Sequence, residues 1–205
     1  EKWEESLRTI AELSPEHISA YSLIVEPGTP FAEQKLDLPD EDTEREMYAR
    51  TAEILAEYGF FQYEISNYAK KGLECRHNKG YWQRTDYLGL GLGASSLIDH
   101  IRFSNTDNME EYIKNSRQPE KIRCDMERLS ETDEMAEFMF LGLRMTEGVS
   151  MDVFEEYFGK KMESIYGDVL KKHLSIGMLE KKESRIYLTR KGIHVSNGVM
   201  ADFLL

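Results

Sequence analysis

Apolar positions recur at helical spacing where the chain begins: Trp3, Leu7 and Ile10 share one side of a segment over residues 3–13. Ser14-Pro15 stops it, because the residue before a proline is pushed out of the helical region. Residues 18–25 read as a buried strand that opens into the loop Glu26-Pro27-Gly28-Thr29-Pro30. Asp40 or Asp42 suits the N-cap of a second helix, with a stripe through Met47, Ile54 and Leu55 to about Tyr58 and Gly59 at its end. A further strand is expected over residues 61–65. Strand, helix and strand in this order form the repeating unit of a parallel α/β sheet.

From residue 72 to about 105, short apolar runs alternate with turns, which predicts an antiparallel extension with strands at Tyr81-Trp82, Tyr87-Leu88 and Ile101-Arg102-Phe103. A short helix over 107–115 and a linker, Arg117-Gln118-Pro119-Glu120, lead to a change of composition, so a second domain is expected from Ile122. The predicted division is 1–121 and 122–205. Ser130-Glu131-Thr132-Asp133-Glu134 resembles a helix start, acidic in its first turn, and Met135, Phe138, Met139, Leu141 and Leu143 make the helix largely apolar. Helices over 149–158 and 165–176 follow, then a hairpin over 177–189 with alternation through Ile186 and Leu188, and a closing helix over 191–205. Helices, a hairpin and a last helix in this order predict a winged-helix-like α+β domain.

The 205 residues suffice for one large or two small domains, and 40% hydrophobic content provides a core. A net charge of −12 argues against a broad electrostatic grip on nucleic acid or on an anionic membrane surface, both of which draw affinity from clustered Lys and Arg. No apolar run approaches a membrane span, and Glu1-Lys2-Trp3-Glu4-Glu5 is neither a signal peptide nor an initiation site, so a longer parent is expected. Two cysteines, Cys75 and Cys124, suit a reduced cytoplasmic protein and form no Cys-x-x-Cys zinc element. Cys75 stands two residues before His77, so on a strand both would face one side and offer a metal two ligands; a small buried or solvated thiol is the plainer reading.

The run His77-Asn78-Lys79-Gly80-Tyr81-Trp82 sets a metal-capable imidazole beside two large rings, close to the glycine-dense turn Gly89-Leu90-Gly91-Leu92-Gly93. A neutral imidazole is a good iron ligand and flat rings pack on a macrocycle, so a porphyrin is a natural candidate. An ordinary histidine beside core aromatics is the alternative. This run, with residues 59–69 (Gly59 to Ala69), His17-Ile18-Ser19-Ala20-Tyr21-Ser22-Leu23 and Pro27-Gly28-Thr29-Pro30-Phe31, resembles the oxygen-independent coproporphyrinogen III oxidase family of radical SAM proteins. It is most similar to the family's heme-chaperone branch, in which a His-Asn-x-x-Tyr-Trp motif is associated with heme. The resemblance covers nearly the whole chain.

That resemblance implies that residues 1 to about 69 form the last portion of a partial barrel, so that with the following extension the chain is α/β. It implies heme contacts from His77, Asn78, Tyr81 and Trp82, with His77 on the iron and Asn78 orienting its ring, and S-adenosylmethionine contacts from Ser22 and Ser95. Ser95 stands where heme-chaperone members often carry His. The family's Cys-x-x-x-Cys-x-x-Cys loop, which holds its 4Fe-4S cluster, is absent here, so this chain by itself is expected to be inert toward S-adenosylmethionine. Gly89, Gly91 and Gly93 are read as close packing and tight turning, not as a phosphate cradle. His17, His100 and His173 are read as structural, no partner for His194 is legible in the sequence, and Met135, Met139 and Met145 are read as core.

The leading functional expectation is a heme chaperone that passes heme to client hemoproteins; the alternative is a coproporphyrinogen III oxidase. A nucleic-acid-binding winged helix would need more cation than Lys171-Lys172 and Lys181-Lys182 supply, so a lid or docking role is preferred for that domain. Strands exposed where a barrel is cut favour association, which makes a homodimer an expectation.

Overall fold

The computed structural model describes residues 2–205; Glu1, read above as the start of a cut segment, lies outside the described residues. The chain is α/β and packs as two compact units, the first comprising residues up to 76 with 145–147, the second residues 77–144 with 148–205.

The first unit holds helix α1 (Lys2–Glu12), strand β1 (His17–Ser19), helix α2 (Glu41–Glu57) and strands β2 (Phe61–Glu64) and β3 (Asn67–Ala69). Leu7 and Ala11 of α1 and Ile54 and Leu55 of α2 bury against Ile18, Phe60 and Tyr68, whereas Ile10 lies exposed. Asp40 caps α2 by accepting from the Thr43 amide, as one of the two expected acids. The indole of Trp3 donates to the Thr51 hydroxyl at 3.0 Å, tying the two helices.

Two expectations are corrected in this unit. The strand expected over 18–25 ends at Ser19, because its partner β3 is three residues long; past Ala20, whose amide donates to the Ser66 carbonyl, the segment is irregular and Tyr21, Leu23 and Ile24 are exposed. The sheet is antiparallel, in the order β1-β3-β2. β1 and β2 do run the same way, as a strand-helix-strand crossover requires, but the chain turns back at Ile65-Ser66 and slides β3 between them. The buried Glu64 carboxylate sets that turn, accepting from the Ser66 amide at 2.8 Å and from the Asn67 side chain. Residues 145–147 complete the unit through a bridge from Met145 to Glu64 and a hydrogen bond from the Thr146 amide to the Tyr63 carbonyl.

The second unit takes all of helix α3 (Arg76–Trp82) but its first residue, then strands β4 (Ser95–Ile98) and β5 (Ile101–Asn105), helix α4 (Met109–Asn115), a 3-10 turn over Pro119–Lys121 and strand β6 (Arg123–Arg128). β4, β5 and β6 form an antiparallel sheet in that order; of the strands expected over 72–105 only Ile101-Arg102-Phe103 lies in it, within β5, while Tyr87-Leu88 contributes an isolated bridge from Tyr87 to Leu97. Because Cys124 and Arg123 pair with Ser104 and Asn105 across β5, the division expected at 121/122 would cut through a sheet, and it falls inside one compact unit. Tyr81-Trp82, expected as a strand, is the last turn of α3.

Helix α5 (Glu131–Gly142) follows, then β7 (Val149–Ser150), α6 (Met151–Phe158), α7 (Met162–Ser175), β8 (Leu179–Lys182), β9 (Arg185–Leu188), α8 (Arg190–His194) and α9 (Ser196–Ala201). Ser130 and Asp133 form a complete capping box at the head of α5. The helix expected from Val149 starts two residues later, since Val149 and Ser150 pair with Ile186 and Arg185 and give the β8-β9 hairpin a third strand, in the order β7-β9-β8. Gly148 makes that approach: it has φ +63°, and a Cβ there would overlap the Ile186 carbonyl. The closing helix is broken at Val195, which has φ −121° and ψ 26°, with Gly192 and Gly198 lowering helical propensity on either side. Phe154, Met162, Tyr166, Ile186 and Phe203 fill the core, several rings meeting edge to face.

Candidate functional site

Seven residues make α3, and helical geometry sorts its motif into two faces. Residues four apart share a face, so His77 lies with Tyr81 and Asn78 with Trp82. The His77 imidazole is exposed and meets the Tyr81 ring edge-on, centroids 4.6 Å apart at 72°. Tyr81 in turn meets Tyr87 edge-on at 4.6 Å and 85°, continuing the row. Tyr87 is held from behind by a two-way backbone bridge to Leu97 of β4, at 2.8 and 3.0 Å. Burial pushes the Tyr87 phenol above its ordinary pKa. An accessible imidazole, two aromatic rings in edge contact and a rigid backing can border a flat ligand and leave a ring nitrogen available to its metal.

Trp82 faces the other way, with the Arg144 guanidinium 4.4 Å from the centre of its ring. Its indole N–H is buried without a hydrogen-bond partner among the described residues. Because α3 is a helix, Cys75 and His77 do not share the face of a strand, which corrects the two-ligand expectation. Among the described residues no three His, Cys, Asp or Glu side chains gather as a metal site.

The end of α3 closes in a Schellman turn: the Thr85 amide donates to the Gly80 carbonyl at 2.9 Å and the Arg84 amide to the Tyr81 carbonyl at 3.2 Å. The left-handed position in that turn is Arg84, φ +56°, where glycine is the usual occupant. Its guanidinium donates from Nε to Glu137 Oε2 at 3.0 Å and lies 3.6 Å from Glu134 Oε1. Arg102 Nη2 reaches the other oxygen of Glu137 at 2.6 Å, and His100 Nδ1 pairs with Glu134. The side chains of Arg84, Glu134 and Glu137 are each 8% exposed or less. This cluster and Tyr87 were not singled out from the sequence. The available signal was Glu134 and Glu137, three apart among the apolar positions of α5.

Ser95 is exposed at the start of β4, just after the glycine-dense turn. That turn spends its polar backbone groups on the protein: Gly89 N donates to Ser96 Oγ at 3.0 Å, and Asn105 Nδ2 donates to the carbonyls of Gly89 and Gly91 at 3.3 and 2.8 Å. A Cβ at Gly89 would overlap the Ser95 carbonyl, so close packing requires that glycine. Leu88, Leu90 and Leu92 point outward and are exposed. Ser22 belongs to the first unit, where it lines a largely apolar cavity of about 280 Å³ with Trp3, Tyr21, Leu23, Met47 and Tyr48. The two cysteines of this sequence supply no three-thiolate loop, so a 4Fe-4S cluster has no ligand set here.

The remaining histidines have protein partners. His17 Nε2 lies 2.9 Å from the Tyr63 hydroxyl, and His173 Nε2 lies 2.7 Å from Asp202 beneath Phe203. Met135, Met139 and Met145 are buried.

Residues 129–195 match the family described as the HemN C-terminal domain. Over its full length the chain is similar to proteins named heme chaperone HemW: 38% identical to that of Bacillus subtilis (strain 168), covering 98% of this chain and 54% of the relative. It is 37% identical to that of Lactococcus lactis subsp. lactis (strain IL1403), covering 95% and 52%. The chain thus spans about half the length of the curated relatives it matches. Among solved structures, the radical SAM enzyme coproporphyrinogen III oxidase (HemN) from Escherichia coli shares the fold, with a TM-score of 0.77 at 18% identity over 98% of this chain and 50% of that one. Residues 129–195 thus carry the HemN C-terminal domain match, and nearly the whole chain is similar to about half of proteins named heme chaperone HemW.

Proposed function

We propose that this chain is the heme-holding part of a radical SAM heme chaperone, with heme as cargo and His77 as the iron ligand. The observation that carries the reading is the exposed imidazole in edge contact with Tyr81, itself backed by Tyr87. Tyr81 packs beside the macrocycle, whereas Trp82 anchors the helix from its other face, which Asn78 shares. The expected outcome of titrating hemin into the full-length protein is a saturable Soret band that His77→Ala removes. Unchanged affinity and spectrum in His77→Ala overturn the assignment.

Ser22 and Ser95 are proposed as S-adenosylmethionine contacts, Ser22 from the wall of its cavity and Ser95 from the exposed start of β4. When bound, S-adenosylmethionine supplies radical chemistry that needs a reduced cluster; the cysteines for that cluster are not in this sequence, so no step is assigned to these residues. In this reading residues 1 to about 69 are the last part of a partial barrel, and the expected second domain, 122–205, is a winged-helix-like module. The β7-β9-β8 sheet with α6 and α7 supports that module, and a lid or docking role toward client hemoproteins in the cytoplasm suits its acidic setting. Self-association as a homodimer is part of the same proposal.

A second reading, coproporphyrinogen III oxidase, is favoured by the fold likeness to that enzyme. It assigns no role to an exposed imidazole-aromatic row, and formation of protoporphyrinogen from coproporphyrinogen III by the full-length protein would select it.

A further inference from the structure

The buried charge cluster beneath α3 is more than the fold requires. Two carboxylates on α5, three apart, receive Arg84, Arg102 and His100, and the two oxygens of Glu137 are divided between Arg84 at 3.0 Å and Arg102 at 2.6 Å. Desolvating such groups is expensive, and apolar residues of similar volume commonly serve stability as well or better. Arg84 adds a second cost, since it holds a left-handed backbone position that a glycine would take without strain. What these costs secure is geometric. Arg84 is the residue on which α3 turns off, so fixing its guanidinium fixes the last turn of the helix that carries Tyr81 and Trp82. Arg144 clamps Trp82 from the far end of α5, and Arg102 lies on β5 beside β4, whose Leu97 backs Tyr87.

We propose that Glu137, acting through Arg84, is a positioning residue for the heme motif: it sets the rotation of α3 and hence the direction in which the His77 imidazole is presented. This rests on the reading of His77 as the iron ligand.

The test compares hemin titrations of the full-length protein carrying His77→Ala, Arg84→Gly, Arg84→Lys and Glu137→Gln. Arg84→Gly relaxes the left-handed turn but leaves Glu134 and Glu137 with one buried cation fewer, so circular dichroism of each variant accompanies the titration, and Arg84→Lys, which keeps a cation there, decides the question where the other two fail to fold. The expected result is a heme affinity lowered roughly tenfold in Arg84→Gly and Glu137→Gln, at the lower end of what removing groups that orient a metal ligand costs. A shifted Soret band and partial recovery in Arg84→Lys are expected alongside it, changes that a purely structural pair would not produce. Wild-type affinity and spectrum in Arg84→Gly, with binding abolished in His77→Ala, overturn the positioning role and leave the heme reading standing. Unchanged binding in His77→Ala overturns the heme reading and this proposal with it.

Discussion

At the scale of single residues, the site depends on a few side chains whose neighbours leave little freedom. His77 and Tyr81 are neighbours because four residues of helix bring them to the same face, and Trp82, one residue on, is carried round to Arg144. Gly89 is constrained differently, by lack of space. Its backbone lies against the Ser95 carbonyl, so Gly89→Ala must push β4 away from the turn, at a cost of about 1–3 kcal/mol. Denaturant unfolding is expected to show that loss with an unchanged slope, whereas a stability equal to the parent's would mean that the turn yields freely. Much of this local chemistry could be read from residue order, as with the imidazole beside its rings and the packing role of Gly89. Arg84 could not, because nothing in a single sequence marks an arginine as the left-handed residue of a helix end or names its partners.

At the scale of elements, α5 is the best specified. Ser130 accepts from the Asp133 amide while the Asp133 carboxylate accepts from both the amide and the hydroxyl of Ser130, and these bonds hold the Asp133 carboxyl below its ordinary value of 3.8. Ser130→Ala is expected to cost about 1 kcal/mol in thermal or denaturant unfolding. The pH dependence has a definite sign. Asp133, and Asp202 where Lys172 and His173 hold it low, have native values below those of the unfolded chain. Their contribution is therefore complete above about pH 4–5 and is lost as the pH falls through the lowered values. In an acid titration of stability, Ser130→Ala is expected to remove part of that acid-side decline; an identical decline in both proteins would dismiss the box as its source. Pattern reading located α1, α2, α5 and the β8-β9 hairpin because each shows its period over many residues. It missed the helical state of Tyr81-Trp82 and the three-residue β3, since elements this short carry less than two periods of signal.

At the scale of the whole molecule, 38 acidic against 26 basic residues set the character of any partner surface. The lysines of α7 and β8 are partly matched by acids, with Lys172 on Asp202 and Lys181 on Glu163. A gel shift with duplex DNA at moderate salt is accordingly expected to show no complex, and a salt-dependent one would revive a nucleic-acid role for the C-terminal module. Among the described residues no helix is long and apolar enough to cross a membrane. The interior is ordinary by comparison: edge-to-face rings around Phe154 and Tyr166, whose phenol burial pushes up to about 12.

Periodicity, caps and motif order, all local quantities, determined the α/β class, the principal helices, the C-terminal hairpin and the residues that carry the family resemblance. Tertiary structure decided the rest, because it turns on pairings between distant segments. It placed β3 between β1 and β2, and it joined β6 to the sheet across the expected domain division. It also put two carboxylates of α5 under the end of α3. Those choices are settled by which partner satisfies a strand edge or a buried charge most completely, and that competition involves the whole chain at once.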